Sequence, residues 1–359
     1  MPTSPEPIEA VSQRLDKFLS EQLSYAAALG PEAETLTRSG AAALRGGKRL
    51  RARFCLSGWE AVRGPAELFD PAALAVATSL EIFHAAALVH DDLVDNSDTR
   101  RGQPAAHRAL QNAHRDAGWT GDSDTFGRSG AILLGDLLVA WSDDLLEEGL
   151  EGVATASETR RAYARMRRDV TIGQFLDVAE ESAYTVYPDD THAERALRVA
   201  SYKSARYSIQ QPLQIGAALG GADSAQLDAL GRFGHDVGMA FQLRDDVLGV
   251  FGDSTLTGKP VGDDLREGKR TVLVAYAREA LSPDERRSVD QRLGDPALSA
   301  GEIAELQRRI VDSGALSRVE DLIGDYARRA DAALADAPFE ASAVERLREL
   351  AQAATQRAA

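Results

Sequence analysis

Residues 72–95 read AALAVATSLEIFHAAALVHDDLVD. The run is mainly apolar over far more residues than a strand uses, and it then ends in three aspartates. Its core, LAVATSLEIFHAAALV, carries Glu81 and His84, so it is too short and too polar for a membrane span. A buried helix satisfies the run, and such a helix must be enclosed by others. The remaining chain can supply them. Val11, Leu15, Leu19 and Leu23 repeat at helical spacing between Ile8 and Gly30. RGGKRLRARF (45–54) opens another helix behind a two-glycine turn. Ala, Leu, Arg, Glu and Asp dominate, and β-branched runs of strand length are scarce. The expected fold class is all-α.

The punctuation is sparse. WTGDSDTFGRSG (119–130), YPDD (187–190) and GGADS (220–224) read as loops. GDSTLTGKPVGDDLREGKR (252–270) reads as a long polar loop of the kind that carries function. Two or three helices are expected to finish the chain. No repeat and no long linker is visible. Residues 1–7 are expected to be a disordered lead and 8–359 a single helical domain.

A formal net charge of -15 argues against nucleic-acid binding, which needs a basic face. It leaves room for a local basic pocket. A single cysteine, Cys55, excludes an intrachain disulfide framework and suits a reducing cytoplasm. MPTSPEPIEA shows neither the basic nor the apolar region of a signal peptide.

Asp91 and Asp95 are one helical turn apart and share a face, with Asp92 beside them. Carboxylates this close need raised pKa values, nearby cations or a metal. Oxygen-only ligation suits Mg2+, which keeps waters and bridges to phosphates. A second pair, Asp245 and Asp246, follows another apolar run, FQLRDDVLGVF. Either pair alone could be a solvated helix end. Together they could build one metal site in a helical bundle. Basic residues accompany them: Lys48, Arg49 and Arg51 in GGKRLR, Arg100 and Arg101 behind the first cluster, Lys203, Lys259 and Lys269. Each could be a salt-bridge partner in an acidic protein. As a set they match diphosphate recognition, with arginine as a fork and lysine as a point charge. The P-loop spacing is absent.

These motifs in chain order resemble the trans-isoprenyl diphosphate synthases, or polyprenyl synthetase family: GGKRLR (46–51), EIFHAAALVHDDLVDNSDTRRG (81–102), LLGDLL (133–138), GQFLD (173–177), YKSA (202–205), FQLRDD (241–246) and GKPVGDDLREGKRT (258–271). The resemblance implies a single large bundle of mainly antiparallel helices around a central cavity. It implies head-to-tail condensation of isopentenyl diphosphate with an allylic diphosphate, three Mg2+ ions with the diphosphate, and a homodimer. It assigns Asp91, Asp92, Asp95, Asp245 and Asp246 to metal. Lys48, Arg51, His84 and Arg101 would hold isopentenyl diphosphate. Arg100, Lys203, Gln242, Lys259 and Lys269 would hold the allylic diphosphate, with Ser204 where the family often has Thr. Gln174 and Asp177 would stand near the metals. Read without the family, His84 is equally a core histidine. The sequence departs from the pattern at Gly249, where the family's second motif usually ends in Asp. Asp253 is a partial substitute in another register.

With Asp91 at the diphosphate end, the preceding helix acts as a ruler. Ala86 and Ala87 stand one turn back and Phe83 two turns back, at about 5.4 Å per turn. Two alanines leave room for a chain that Phe83 would stop, which points to geranylgeranyl diphosphate (C20). The same alanines could instead serve close helix packing, leaving longer products or farnesyl diphosphate open. Two other functions share some features. A class I terpene cyclase uses D-D-x-x-D but has no need of GGKRLR. A noncatalytic subunit of a heteromeric synthase generally loses first-cluster aspartates, which are all present here.

Overall fold

The computed structural model describes residues 6–65, 69–252 and 261–355. Apart from one two-stranded hairpin, its regular elements are helices. They are numbered in chain order below. The chain forms two compact units, residues 1–160 with 215–222, and residues 161–214 with 223–359.

The first unit contains α1 (Pro7–Ala27), α2 (Pro31–Ala43), α3 (Leu50–Arg63), α4 (Pro71–Val94), α5 (Ala106–Asp116) and α6 (Ser123–Leu150). The run at 72–95 is α4, as its apolar length requires. Asp70 starts it by accepting from the backbone N–H groups of Ala72 and Ala73 at 2.9 and 3.0 Å, with Pro71 in the first turn. Contrary to the expectation drawn from its apolar core alone, the whole of α4 is long and apolar enough to cross a membrane, but 72% of its most apolar window is buried inside the protein. It packs along α6. Ile82, Ala86 and Val89 meet Leu134, Leu138 and Leu145 in one cluster, which Leu15, Phe18 and Trp141 extend. The Ser142 hydroxyl donates to the Ser79 carbonyl at 2.8 Å where these helices touch.

The loop expected at 119–130 is shorter than its composition suggests. Asp122 caps α6 by accepting from Thr125 N at 2.7 Å, so 123–130 are helical. The glycines there serve packing instead: a Cβ on Gly130 would lie 2.9 Å from Leu110 Cδ1 on α5.

Between α4 and α5 the chain makes a hairpin, Thr99–Arg100 against Gln103–Pro104, with Arg100 opposite Gln103. Its two loop residues, Arg101 and Gly102, have φ of 52° and 72°. Positive φ at both positions is what a tight hairpin loop demands.

The α7 helix (Ala156–Ala183) begins before the second unit and continues into it. There follow α8 (His192–Val199), a π-helical stretch (Ala200–Gln210), α9 (Gln211–Gly220) and α10 (Ser224–Phe251). Then come α11 (Asp263–Glu267), α12 (Val272–Ala280), α13 (Pro283–Arg292), α14 (Ala300–Asp312), α15 (Ala315–Ala335) and α16 (Ala341–Thr355). The tail therefore holds more helices than the two or three expected. Side chains from α10 to α15, including Leu243, Val247, Leu265, Leu273, Leu306 and Val319, form one apolar cluster. Capping boxes start α10, α13 and α14, at Asp223, Ser282 and Ser299.

Candidate active site

In the first unit the hairpin explains why two arginines follow the acidic cluster. Neighbouring residues on it leave in different directions. Arg100 turns back to α4, where its Nε donates to Asp92 Oδ1 at 2.8 Å and its Nη2 lies 3.6 Å from Asp91 Oδ2. Arg101 turns to the GGKRLR segment and donates to the Arg45 carbonyl at 2.9 Å. Its guanidinium lies over Gly47, where a Cβ would meet Nη2 at 3.0 Å. Gly46 and Gly47 also have φ of 71° and 88°, which residues with a Cβ rarely adopt.

Asp92 is 3% exposed, and burial raises its pKa against the opposing pull of the Arg100 hydrogen bond. Asp91 is half-buried. Asp95 forms the C-cap of α4, its N–H donating to the Asp91 carbonyl at 2.8 Å. Asp91 and Asp95 thus flank the helix end, while Asp92 holds Arg100.

GGKRLR crosses into α3 at Arg49, which has φ 50°. Lys48 is exposed and Arg51 is 8% exposed. His84 on α4 has its pKa lowered well below the usual imidazole value, first by burial and then by the charges of Arg51, Arg101, Arg100 and Arg49. It is a neutral ring among four guanidinium groups. In a chain this acidic, such a concentration of cations makes a local positive patch able to attract an anion.

Phe83, Ala86 and Ala87 do not share one environment. Ala86 is 1% exposed and belongs to the α4–α6 cluster. Ala87, partly exposed, stands four residues after Phe83 and four before Asp91, on a different face.

In the second unit Lys203 and Ser204 lie on the π-helical stretch. Stretches of this kind recur at functional sites. The Lys203 ammonium forms a short ion pair with Asp177 of α7. The stretch comes close to α7 because residue 173 is glycine: a Cβ there would lie 2.7 Å from Lys203 Cα. Gln174 is half-buried on the same helix.

Asp245 is exposed in the C-terminal part of α10, and Asp246 is buried beside it. Gln242 donates to Asp246 Oδ1 at 2.7 Å. Burial, and then the charge of Asp264, push the Asp246 carboxyl up to about 8. Lys269 reaches Glu267 at 2.6 Å and Asp264 at 3.4 Å. Lys259 and Asp253 lie outside the described residues.

Among the described residues no three His, Cys, Asp or Glu side chains already converge as a metal cage. Mg2+ does not require one, because it keeps several waters and takes one or two carboxylates together with substrate phosphates. Asp91 with Asp95, and Asp245 with Asp246, are donor sets of that kind. The oxygen-only chemistry fits.

Two contributors escaped the sequence reading. Glu81 passed as an interruption of an apolar helix, although a carboxylate in such a run is itself a signal. Asp264 passed as loop polarity, yet it is 9% exposed and stands over Gly249.

The Polyprenyl synthetase family model matches residues 33–310. A geranylfarnesyl diphosphate synthase of Aeropyrum pernix is 32% identical over 296 residues, 82% of this chain and 84% of the relative. A geranylgeranyl diphosphate synthase of Saccharolobus solfataricus is 31% identical over 320 residues, 87% of each chain. Among solved structures, a geranylgeranyl pyrophosphate synthase from Corynebacterium glutamicum, complexed with isoprenyl diphosphate and magnesium, is similar over 98% of both chains. Its TM-score is 0.91 at 38% identity.

Proposed function

Since the chain belongs to the polyprenyl synthetase family, we propose that it condenses isopentenyl diphosphate head to tail with an allylic diphosphate and stops at geranylgeranyl diphosphate. It is a prenyltransferase. On this reading residues 8–359 work as one catalytic domain, and the enzyme is a cytoplasmic homodimer.

The observation that carries the reading is the basic cluster of Arg49, Arg51, Arg100 and Arg101 around neutral His84, next to the acidic end of α4. A cyclase, which handles a single diphosphate, has no use for it. Lys48, Arg51, His84 and Arg101 hold isopentenyl diphosphate. His84, kept neutral, contributes a hydrogen bond and not a charge. Arg100, Lys203, Gln242, Lys259 and Lys269 hold the allylic diphosphate, with Ser204 beside Lys203. Asp91, Asp92, Asp95, Asp245 and Asp246 provide the carboxylates for Mg2+, and Asp92 also holds Arg100. When held by these carboxylates, Mg2+ (three ions on this reading) would supply positive charge to stabilise the departing diphosphate. The arginine and lysine side chains add to that stabilisation where the charge develops. The proton lost after carbon–carbon bond formation goes to the released diphosphate, so no side chain is needed as a base.

The test is direct. Purified protein is incubated with isopentenyl diphosphate, Mg2+ and each allylic primer separately, and the dephosphorylated products are separated by chromatography. Geranylgeraniol is expected as the end product. Failure to elongate any primer rejects prenyl transfer, and a cyclic hydrocarbon selects a cyclase.

A further inference from the structure

The first turn of a helix leaves backbone N–H groups without helical partners. In α3 the N-cap residue, Arg49, is in the left-handed region and supplies no side-chain cap. A side chain from another helix does so instead. Glu81 of α4 is 5% exposed, and its Oε1 accepts from Ala52 N at 2.9 Å in a buried hydrogen bond. Its Oε2 lies 4.0 Å from Arg49 Nη1. Arg49 in turn donates to the Leu44 carbonyl at 2.9 Å, on the chain leading into the two glycines.

This carboxylate is an anion inside a cluster of cations. It stands three residues before His84, on the same face of α4. Its charge acts on Arg101 in the opposite sense to the charges of Arg49, Arg100 and Arg51. A buried carboxylate is costly unless it is bonded and compensated, and here it is both. Arg51 is the residue next to Ala52, so the bond to Glu81 fixes the turn from which Arg51 projects. We propose that Glu81 is a positioning residue for the isopentenyl diphosphate pocket. It caps α3 from outside and ties Arg49 to α4, so that Arg51 and His84 are held in register before the substrate arrives. It does not touch the substrate. The inference rests on the prenyl-transfer reading above, because it takes that pocket's ligand from it.

The test compares Glu81→Gln, which retains an acceptor for Ala52 N, with Glu81→Ala, which removes it. Initial rates are measured against isopentenyl diphosphate at saturating allylic primer and Mg2+, and calorimetry measures its binding to each protein. Glu81→Ala is expected to raise KM for isopentenyl diphosphate about tenfold, the effect of a lost hydrogen bond to a charged group. Its kcat should stay within about twofold, as should KM for the allylic primer. Glu81→Gln should stay within about threefold of wild type in every parameter. In an Arg51→Ala background the Glu81→Ala shift should disappear, because the two act through one turn. An unchanged KM in Glu81→Ala, equal shifts in the Gln and Ala variants, or additive shifts with Arg51→Ala would each overturn the proposal. If Glu81→Ala does not fold by thermal melting, Glu81→Asp replaces it. Its shorter carboxylate falls short of Ala52 N, so it should raise KM, and a wild-type KM would overturn the proposal. A wild type that binds isopentenyl diphosphate but elongates nothing refutes the prenyl-transfer reading alone, and the binding series still decides the role of Glu81.

Discussion

The Asp264 carboxylate of α11 occupies the space that a side chain at Gly249 of α10 would need. A Cβ at 249 would overlap Oδ2 and lie 2.9 Å from Oδ1. The departure from the acidic pattern at Gly249 is therefore coupled to a carboxylate that arrives from later in the chain. Gly→Ala inside a helix ordinarily stabilises by about 0.5–1 kcal/mol. Here Gly249→Ala should instead destabilise by about 1–2 kcal/mol, because buried Asp264 must move. Gly249→Asp, which restores the family residue, should be worse, since it adds a like charge beside Asp264. Urea melts of the three proteins check this order. A stabilised Ala variant would show that Asp264 yields freely.

Asp246 makes a prediction about pH. Its pKa in the folded chain is raised from 3.8 to about 8. Between those values the folded protein holds a proton that the unfolded chain has released, so folding takes up a proton. This contribution is complete below the unfolded value and is lost as pH rises through the folded one. Metal-free protein, kept so with chelator, should lose stability relative to Asp246→Asn as pH rises from about 4 to about 8. Parallel unfolding curves for the two proteins across that range would reject the buried, protonated Asp246.

Much of this site was legible because its parts are local in sequence. The pairs Asp91/Asp92 and Asp245/Asp246 announce themselves as carboxylates behind apolar helical runs, and GGKRLR sits on a turn only glycines permit. The relation of Asp264 to Gly249 was not legible, because it needs two elements to be packed before it exists. Glu81 was visible as a charge in an apolar helix, but its partner is the N-terminus of α3, which no periodicity links to it. The π-helical turn under Lys203 has no residue pattern of its own. Gly173 lets it lie close against α7. The ruler was half legible. Helical spacing set Phe83, Ala86 and Ala87 in order, but only packing against α6 separates Ala86 from the other two.

Half-buried Arg100 pairs with buried Asp92, and removing the partner of a buried charge is worse than removing both members. Arg100→Ala leaves Asp92, 3% exposed, without its guanidinium, and should cost about 3 kcal/mol at neutral pH. Asp92→Asn in the Arg100→Ala background should recover part of that loss. The double-mutant cycle, measured on metal-free protein by denaturant unfolding, should give coupling of about 1–3 kcal/mol. Additive effects would mean that the pair contributes nothing to the fold.

Gly173→Ala forces a Cβ against the backbone of Lys203, which cannot rotate away as a side chain would. The turn carrying Lys203 must shift, and a displacement on the order of 1 Å at a substrate-holding group costs about a hundredfold in rate. Gly301→Ala on α14 is the control, because its Cβ would meet open space. The prenyl-transfer assay should show a fall of about that size for Gly173→Ala and none for Gly301→Ala. Wild-type turnover in Gly173→Ala would show that the stretch adapts.

The position of α4 in the first unit sharpens the question of product length. Ala86, 1% exposed, is part of the α4–α6 cluster, so a larger side chain there pushes two helices apart. Ala86→Phe should destabilise the protein by about 1–3 kcal/mol, with no new product from the fraction that folds. Ala87 stands on the line from Phe83 to Asp91, one turn from each. Ala87→Phe places a ring one turn before the acidic end and should shorten the product. Phe83→Ala removes a ring two turns before it and should lengthen the product by about one isoprene unit, comparable to the helical rise of about 5.4 Å per turn. Chromatography of the dephosphorylated products, with thermal melts alongside, separates the three variants. Unchanged chain lengths in both Ala87→Phe and Phe83→Ala would mean that other helices set the limit and that α4 is no ruler.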